Sequence, residues 1–201
     1  MISMLNFNLK RTSRLFFIVV IFFCIKTAPL KAHEMSPSIL DLTLNPNTVE
    51  LKIRFSVEAM LAEVNLSEIS DTNLSKNAEK YDELRGLTPE QIKKIFKYKW
   101  PDFEKYISLN QSGRGVKLNY KELTVPGVGN TELTRISYLF LEGKLQNNEP
   151  VVFSWNSKLG PIVVRQLGVE NGLTQFLADG DLSVLIFFDG SLQKKNKIIT
   201  F

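Results

Sequence analysis

Cysteine and histidine are almost missing from this chain: 201 residues hold one of each, Cys24 and His33. That scarcity excludes a good deal of chemistry. Cys24 falls within the first 32 residues, so the rest of the chain has no disulfide, no thiol nucleophile and no thiolate metal site. A zinc site built from several histidines cannot be assembled. A Ser-His-Asp triad would have to use His33, and no Gly-x-Ser-x-Gly elbow is present. Phosphate-cradling loops are absent too. Gly127-Val128-Gly129 lacks the third glycine and the following helix of a dinucleotide site. Paired-carboxylate catalysis keeps 21 acids to draw on, but no spacing singles out a pair. The chain therefore reads as a non-enzymatic protein.

What is present is concentrated first at the N-terminus. Lys10, Arg11 and Arg14 precede an unbroken apolar run, Leu15–Ile25, closed by Lys26. A polar stretch then reaches Leu30-Lys31-Ala32, with a small residue where an export signal is cut. Eleven apolar residues are too few for a spanning helix, which needs about 20. The expectation is a signal peptide over 1–32, cleavage between Ala32 and His33, and a periplasmic location. Removing that segment changes the charge. Five of the 25 bases (Lys10, Arg11, Arg14, Lys26, Lys31) and none of the 21 acids lie there, leaving 20 bases against 21 acids. The sequence pI near 9.1 belongs to the leader, and a near-neutral remainder gives no support for nucleic-acid binding.

The clearest structural pattern follows. Leu40, Leu42 and Leu44 alternate with Asp41 and Thr43; after Asn45-Pro46-Asn47, residues Leu51, Ile53, Phe55 and Val57 alternate with Glu50, Lys52, Arg54 and Ser56. Period two on both sides of a short turn predicts a β-hairpin with one buried face, Phe55 pointing inward. Residues 58–109 then read as a helical insertion: Glu58–Val64, Asn77–Arg85 stopped by Gly86, and a helix opened by Thr88-Pro89-Glu90-Gln91. Pro101 is expected to break that last helix before Asp102–Ser108. Strand patterns return at Val116–Val125, Glu132–Leu141, Val151–Ser157, Ile162–Leu167 and Leu182–Phe188, with a hairpin turn at Asp179-Gly180-Asp181. The fold expected is mainly β, an antiparallel β-sandwich of about seven strands over 33–192 with an α-helical insertion after the first hairpin. Residues 193–201 read as a C-terminal tail cut off ahead of further sequence.

If Ala32 is the cut, His33 offers an imidazole and a free amine to one copper or nickel ion, with Glu34, Met35 or a distant carboxylate such as Asp41 to complete the shell. The plainer reading, to which the sequence leans, leaves His33 an exposed first residue. A second surface feature is the helix Pro89–Trp100. Its Lys93, Lys94, Lys97 and Lys99 beside Ile92, Ile95, Phe96, Tyr98 and Trp100 could contact an anionic membrane surface. The commoner case is a domain helix with its apolar side inward.

Several stretches together carry a resemblance. They are Ala32-His33-Glu34 running into a Leu-Asp-Leu strand, Val57–Glu68, Tyr81-Asp82-Glu83-Leu84-Arg85, Leu159–Gln166 and Thr174–Gly180. The chain resembles the exported N-terminal domain that precedes the membrane region of HupE/UreJ-type proteins. The resemblance implies hydrogenase or urease accessory systems, nickel passage and a membrane permease as partner. The domain's part would be docking on that permease or presenting metal to it. The family's metal-binding helix has no counterpart in these residues, so the resemblance assigns no ligand. The alternative is a free-standing periplasmic copper- or nickel-binding protein that uses the N-terminal histidine.

Overall fold

The computed structural model describes residues 35–69, 71–131 and 133–190. The expected leader, the Ala32–His33 cut, His33, Glu34 and the tail 193–201 lie outside the described residues. The first hairpin forms as the alternation requires. Strands β1 (Ser38–Asn45) and β2 (Thr48–Phe55) pair antiparallel, Leu40 opposite Ile53 and Leu42 opposite Leu51. Three helices follow: α1 (Val57–Ala62), α2 (Ala78–Arg85) and α3 (Pro89–Phe103). The remaining strands are β3 (Ile107–Gln111), β4 (Arg114–Val116), β5 (Leu118–Thr124), β6 (Ser137–Lys144), β7 (Val151–Trp155), β8 (Ile162–Leu167) and β9 (Thr174–Leu177).

These strands make two sheets, one of six strands in the order β5-β6-β2-β1-β8-β9 and one of three in the order β4-β3-β7. The core lies on one face of the large sheet. There Leu123, Leu139, Ile53, Leu40 and Val164 form one cross-strand row, all buried. Ile107 and Leu109 of β3 and Val151, Phe153 and Trp155 of β7 are buried from the small sheet. Helix α3 adds Ile92, Phe96, Trp100 and Phe103, a stripe at helical spacing. The Phe96 ring sits 5.7–6.4 Å from those of Phe55, Trp100, Phe103 and Tyr120. This is the inward Phe55 of the hairpin pattern, on a strand with neighbours on both sides. The mainly β, two-sheet architecture with helices after the first hairpin is as the sequence implied.

The details depart from the sequence reading in five places. First, β1 and β8 run parallel, so the large sheet is mixed. The chain crosses between sheets through Asn156–Pro161 and enters β8 at the end where β1 begins, with Ser38 N–H donating to Pro161 O at 3.0 Å. Second, Pro101 does not break α3, which continues to Phe103. In the last turn a proline removes only one ladder bond, and burial of Trp100 and Phe103 on either side holds the turn. Third, the insertion ends at Tyr106, because residues 107–111 pair with β7 as β3. Fourth, Val116–Val125 is divided between the two sheets at Lys117, and in the stretch Glu132–Leu141 residues 133–136 are not strand and β6 begins at Ser137. Fifth, Leu182–Phe188 makes isolated bridges to β7 instead of a ladder, while Thr174–Leu177, assigned no strand, is β9. The ladder stops because Ser183 Oγ accepts from Phe153 N–H and Val184 N–H donates to the Gln175 side chain.

Candidate functional site

The described part of the expected metal site is Met35, just before β1. Its thioether accepts from the Tyr81 hydroxyl at 4.0 Å and from Thr134 Oγ1 at 3.7 Å. Three segments far apart in sequence therefore converge on it: the N-terminal approach to β1, helix α2, and the loop leading into β6. The reason they meet is a buried polar cluster beside the methionine. Ser56 caps α1, accepting from Ala59 N–H at 3.3 Å, and Glu58 in the first turn is completely buried. Arg135 reaches in from the β5–β6 loop. Its Nε donates to Glu58 Oε1 at 2.5 Å, and its two terminal nitrogens donate to the carbonyls of Leu87 and Leu84 at 2.9 and 3.3 Å.

Arg85, also buried, donates to Leu133 O at 2.7 Å and lies 5.3 Å from the centre of the Tyr81 ring. Two guanidiniums thus tie the β5–β6 loop to the helices, each satisfied by carbonyls or a carboxylate as burial demands. Burial pushes the Tyr81 hydroxyl above its ordinary range, the Arg85 charge opposing it. At pH 7 Tyr81 is a neutral donor, which suits a thioether acceptor.

Met35 also lines a cleft of about 370 Å³ with Ser36, Leu66, Ser67, Glu68, Ile69, Leu159, Gly160 and Pro161. Among the described residues its carboxylate is Glu68, on the loop that leaves α1. That loop is clamped in place: Leu66 N–H donates to Lys158 O at 2.9 Å, and Gly160, at φ +76, lies against Leu66 so closely that a Cβ would meet Leu66 Cβ at 2.9 Å. Trp155 Nε1 holds the same turn through Gly160 O at 3.0 Å. Across Glu68 and Leu159 lies a second cleft, of about 300 Å³, floored by Met60, Val64 and Phe103 and rimmed by Glu63, Lys76 and Lys158. The stretches Val57–Glu68 and Tyr81–Arg85 and the first residues of Leu159–Gln166, quoted above for their resemblance, are thus neighbours around one end of the sandwich.

Asp41, considered as a distant ligand, is paired with Arg165, 2.6 Å away on the outer face of the large sheet. Among the described residues no group of three His, Cys, Asp or Glu side chains is placed to hold a metal ion. Glu68 is the acid that sequence reasoning missed as a companion of Met35, since nothing in a 33-residue separation signals it. Around helix α3 the buried stripe faces the core, leaving Lys94, Lys97, Lys99 and Tyr98 exposed. Of the apolar residues on this helix, Ile92, Phe96 and Trp100 are turned to the core, while Tyr98 stands exposed among the lysines. No helix among the described residues is long and apolar enough to cross a membrane.

Fold and site together define a mainly β domain whose helical end carries a pinned methionine and two clefts. No protein-family model matches the chain, and no curated protein is significantly similar to it.

Proposed function

We propose that this is an exported, non-enzymatic domain that works beside a HupE/UreJ-type membrane permease, its N-terminal residues presenting nickel or copper to that partner. One observation carries the metal part of this reading: Met35, two residues after the lone histidine, is held by Tyr81 and Thr134 at the rim of a cleft to which, among the described residues, Glu68 brings the carboxylate. A thioether accepts hydrogen bonds only weakly, so these contacts orient the sulfur and leave it able to donate to a soft metal. The imidazole and amine of a chain beginning at His33, the Met35 thioether and the Glu68 carboxylate would make a nitrogen, sulfur and oxygen donor set, within the range that copper and nickel accept. The permease partnership rests on the resemblance of the quoted stretches.

The test is calorimetric titration of Ni²⁺ and Cu²⁺ into protein starting at His33, beside a control carrying an extra N-terminal methionine and the variants Met35→Leu and Glu68→Gln. Binding that is lost in the control and weakened at least tenfold in either variant supports metal presentation. Absence of binding in the His33 protein removes metal presentation and leaves docking alone, to be sought by co-purification with a co-expressed permease.

A further inference from the structure

Helix α3 has two sides of different chemistry. Its buried stripe belongs to the core, so Phe96 and Trp100 are not offered to anything outside. The opposite side is what the domain shows. Lys94, Lys97 and Tyr98 stand at i, i+3 and i+4, which gathers them on one face, and all three are exposed. Tyr98 is 82% exposed, more than any other large hydrophobic side chain among the described residues. Lys93, half-buried, lies one turn before Lys97.

Charge sets this face apart from the rest of the domain. Beyond residue 32 the bases and acids nearly cancel, yet Gln91–Pro101 holds four lysines and no acid. Lys99 pairs with Asp102 at 3.7 Å. Among the described residues no ion pair ties Lys93, Lys94 or Lys97. The acids next to the cluster, Glu90 before it and Asp102 and Glu104 after it, sit at the two ends of the helix. The middle of the outward face is left positive.

A lysine cluster alone is ordinarily a solvated surface. The tyrosine is the discriminating feature, because an apolar ring with a polar tip, held out among lysines, suits the level of lipid headgroups. Duplex nucleic acid would engage the lysines and leave the ring in water. We propose that this face of α3 lies on an anionic phospholipid surface. The ammonium groups of Lys93, Lys94 and Lys97 meet headgroup phosphates, and the Tyr98 ring enters the headgroup layer. The helix lies flat, since its charges and ring are along its side. This goes beyond the permease reading: the bilayer itself is the partner, and no permease is required.

The test is co-sedimentation with vesicles, using the chain from His33, which carries every described element and none of the bases of residues 1–32. The vesicles are equimolar phosphatidylglycerol and phosphatidylcholine, or phosphatidylcholine alone. The expected result is binding to anionic vesicles that falls with added salt and is at least tenfold weaker on neutral ones. Lys94→Gln/Lys97→Gln should weaken it at least tenfold, at roughly fivefold per charge. Tyr98→Ala should weaken it at least threefold. Lys144→Gln/Lys158→Gln, at exposed positions on β6 and on the β7–β8 turn, should leave it unchanged. The urea transition of each variant checks that it folds. No binding, equal binding to neutral vesicles, or a Lys94→Gln/Lys97→Gln protein that binds as before or loses no more than the Lys144/Lys158 control would each overturn the proposal. An unaffected Tyr98→Ala protein would overturn it too, reducing the face to an unspecific anion-binding patch. Because no permease is present, failure here leaves the permease reading as it stood.

Discussion

Replacing Arg135 with methionine should unfold this domain far more readily than the loss of one loop contact suggests. The guanidinium is 7% exposed and Glu58 is fully buried, so the pair sits out of water. With Arg135 gone, the Ser56 hydroxyl at 3.4 Å is the side-chain donor left to the carboxylate among the described residues; the Leu87 carbonyl loses the guanidinium, and the Leu84 carbonyl keeps Leu87 N–H at 3.1 Å. Breaking a buried pair from one side costs about 3–5 kcal/mol, because the surviving charge is left desolvated. For a domain this size each kcal/mol lowers Tm by roughly 2–4 °C, which puts the expected drop at about 6–20 °C.

Removing both charges tells the pair from the packing. Glu58→Leu/Arg135→Met should be less destabilised than Arg135→Met alone, since no orphan charge remains. The assay is urea unfolding followed by the fluorescence of Trp100 and Trp155, with wild type, both single variants and the double forming a closed cycle. A single-variant loss below about 1 kcal/mol, or strict additivity around the cycle, would refute the argument that Arg135 is held by charge; both would place the pair among surface ion pairs, whose median contribution is about 0–1 kcal/mol.

Three other outcomes follow from the same structure. Phe55→Asp puts an unpaired charge among Phe96 and its ring neighbours, and should leave no cooperative unfolding transition; a soluble variant that melts cooperatively would refute the inward register. Gly160→Ala meets Leu66 Cβ at 2.9 Å and must hold φ +76, so it should cost about 1–3 kcal/mol in chemical denaturation; a neutral result would mean the Leu66 loop is not clamped there. Tyr81 has a folded pKa raised by burial, so its contribution is whole below its unfolded value of about 10 and is lost as pH climbs through the folded one. Tyr81→Phe should therefore flatten the stability decline above pH 10; an unchanged slope in alkaline urea titrations would count against burial of the hydroxyl.

Local pattern carried a large share of this protein. The alternation through Leu40–Val57 dictated a hairpin and its buried face, because a period of two leaves only one register that hides the leucines. Thr88-Pro89-Glu90-Gln91 dictated a helix start, and the structure has both halves of the capping box, at 2.8 and 3.3 Å. Those signals act between residues a few positions apart, so they can be read without a fold. The same pattern misjudged Pro101, where burial of Trp100 and Phe103 outweighs a backbone preference, and Leu182–Phe188, whose ladder is interrupted by side-chain bonds from Ser183 and Gln175.

Other features exist only in three dimensions. The parallel entry of β8 beside β1 depends on where the chain crosses between sheets. Met35 was named as a ligand beside His33 and Glu34, but its partners Tyr81 and Thr134 lie 46 and 99 residues away. Glu68 joins its cleft because Leu66 is clamped by Lys158 and Gly160. The sequence by itself determined the first hairpin, the helix start and the scarcity of cysteine and histidine. The tertiary structure alone decided which side chains share a cleft, which charges are buried in pairs and which side of α3 faces out, because those depend on contacts that the folded chain makes across many tens of residues.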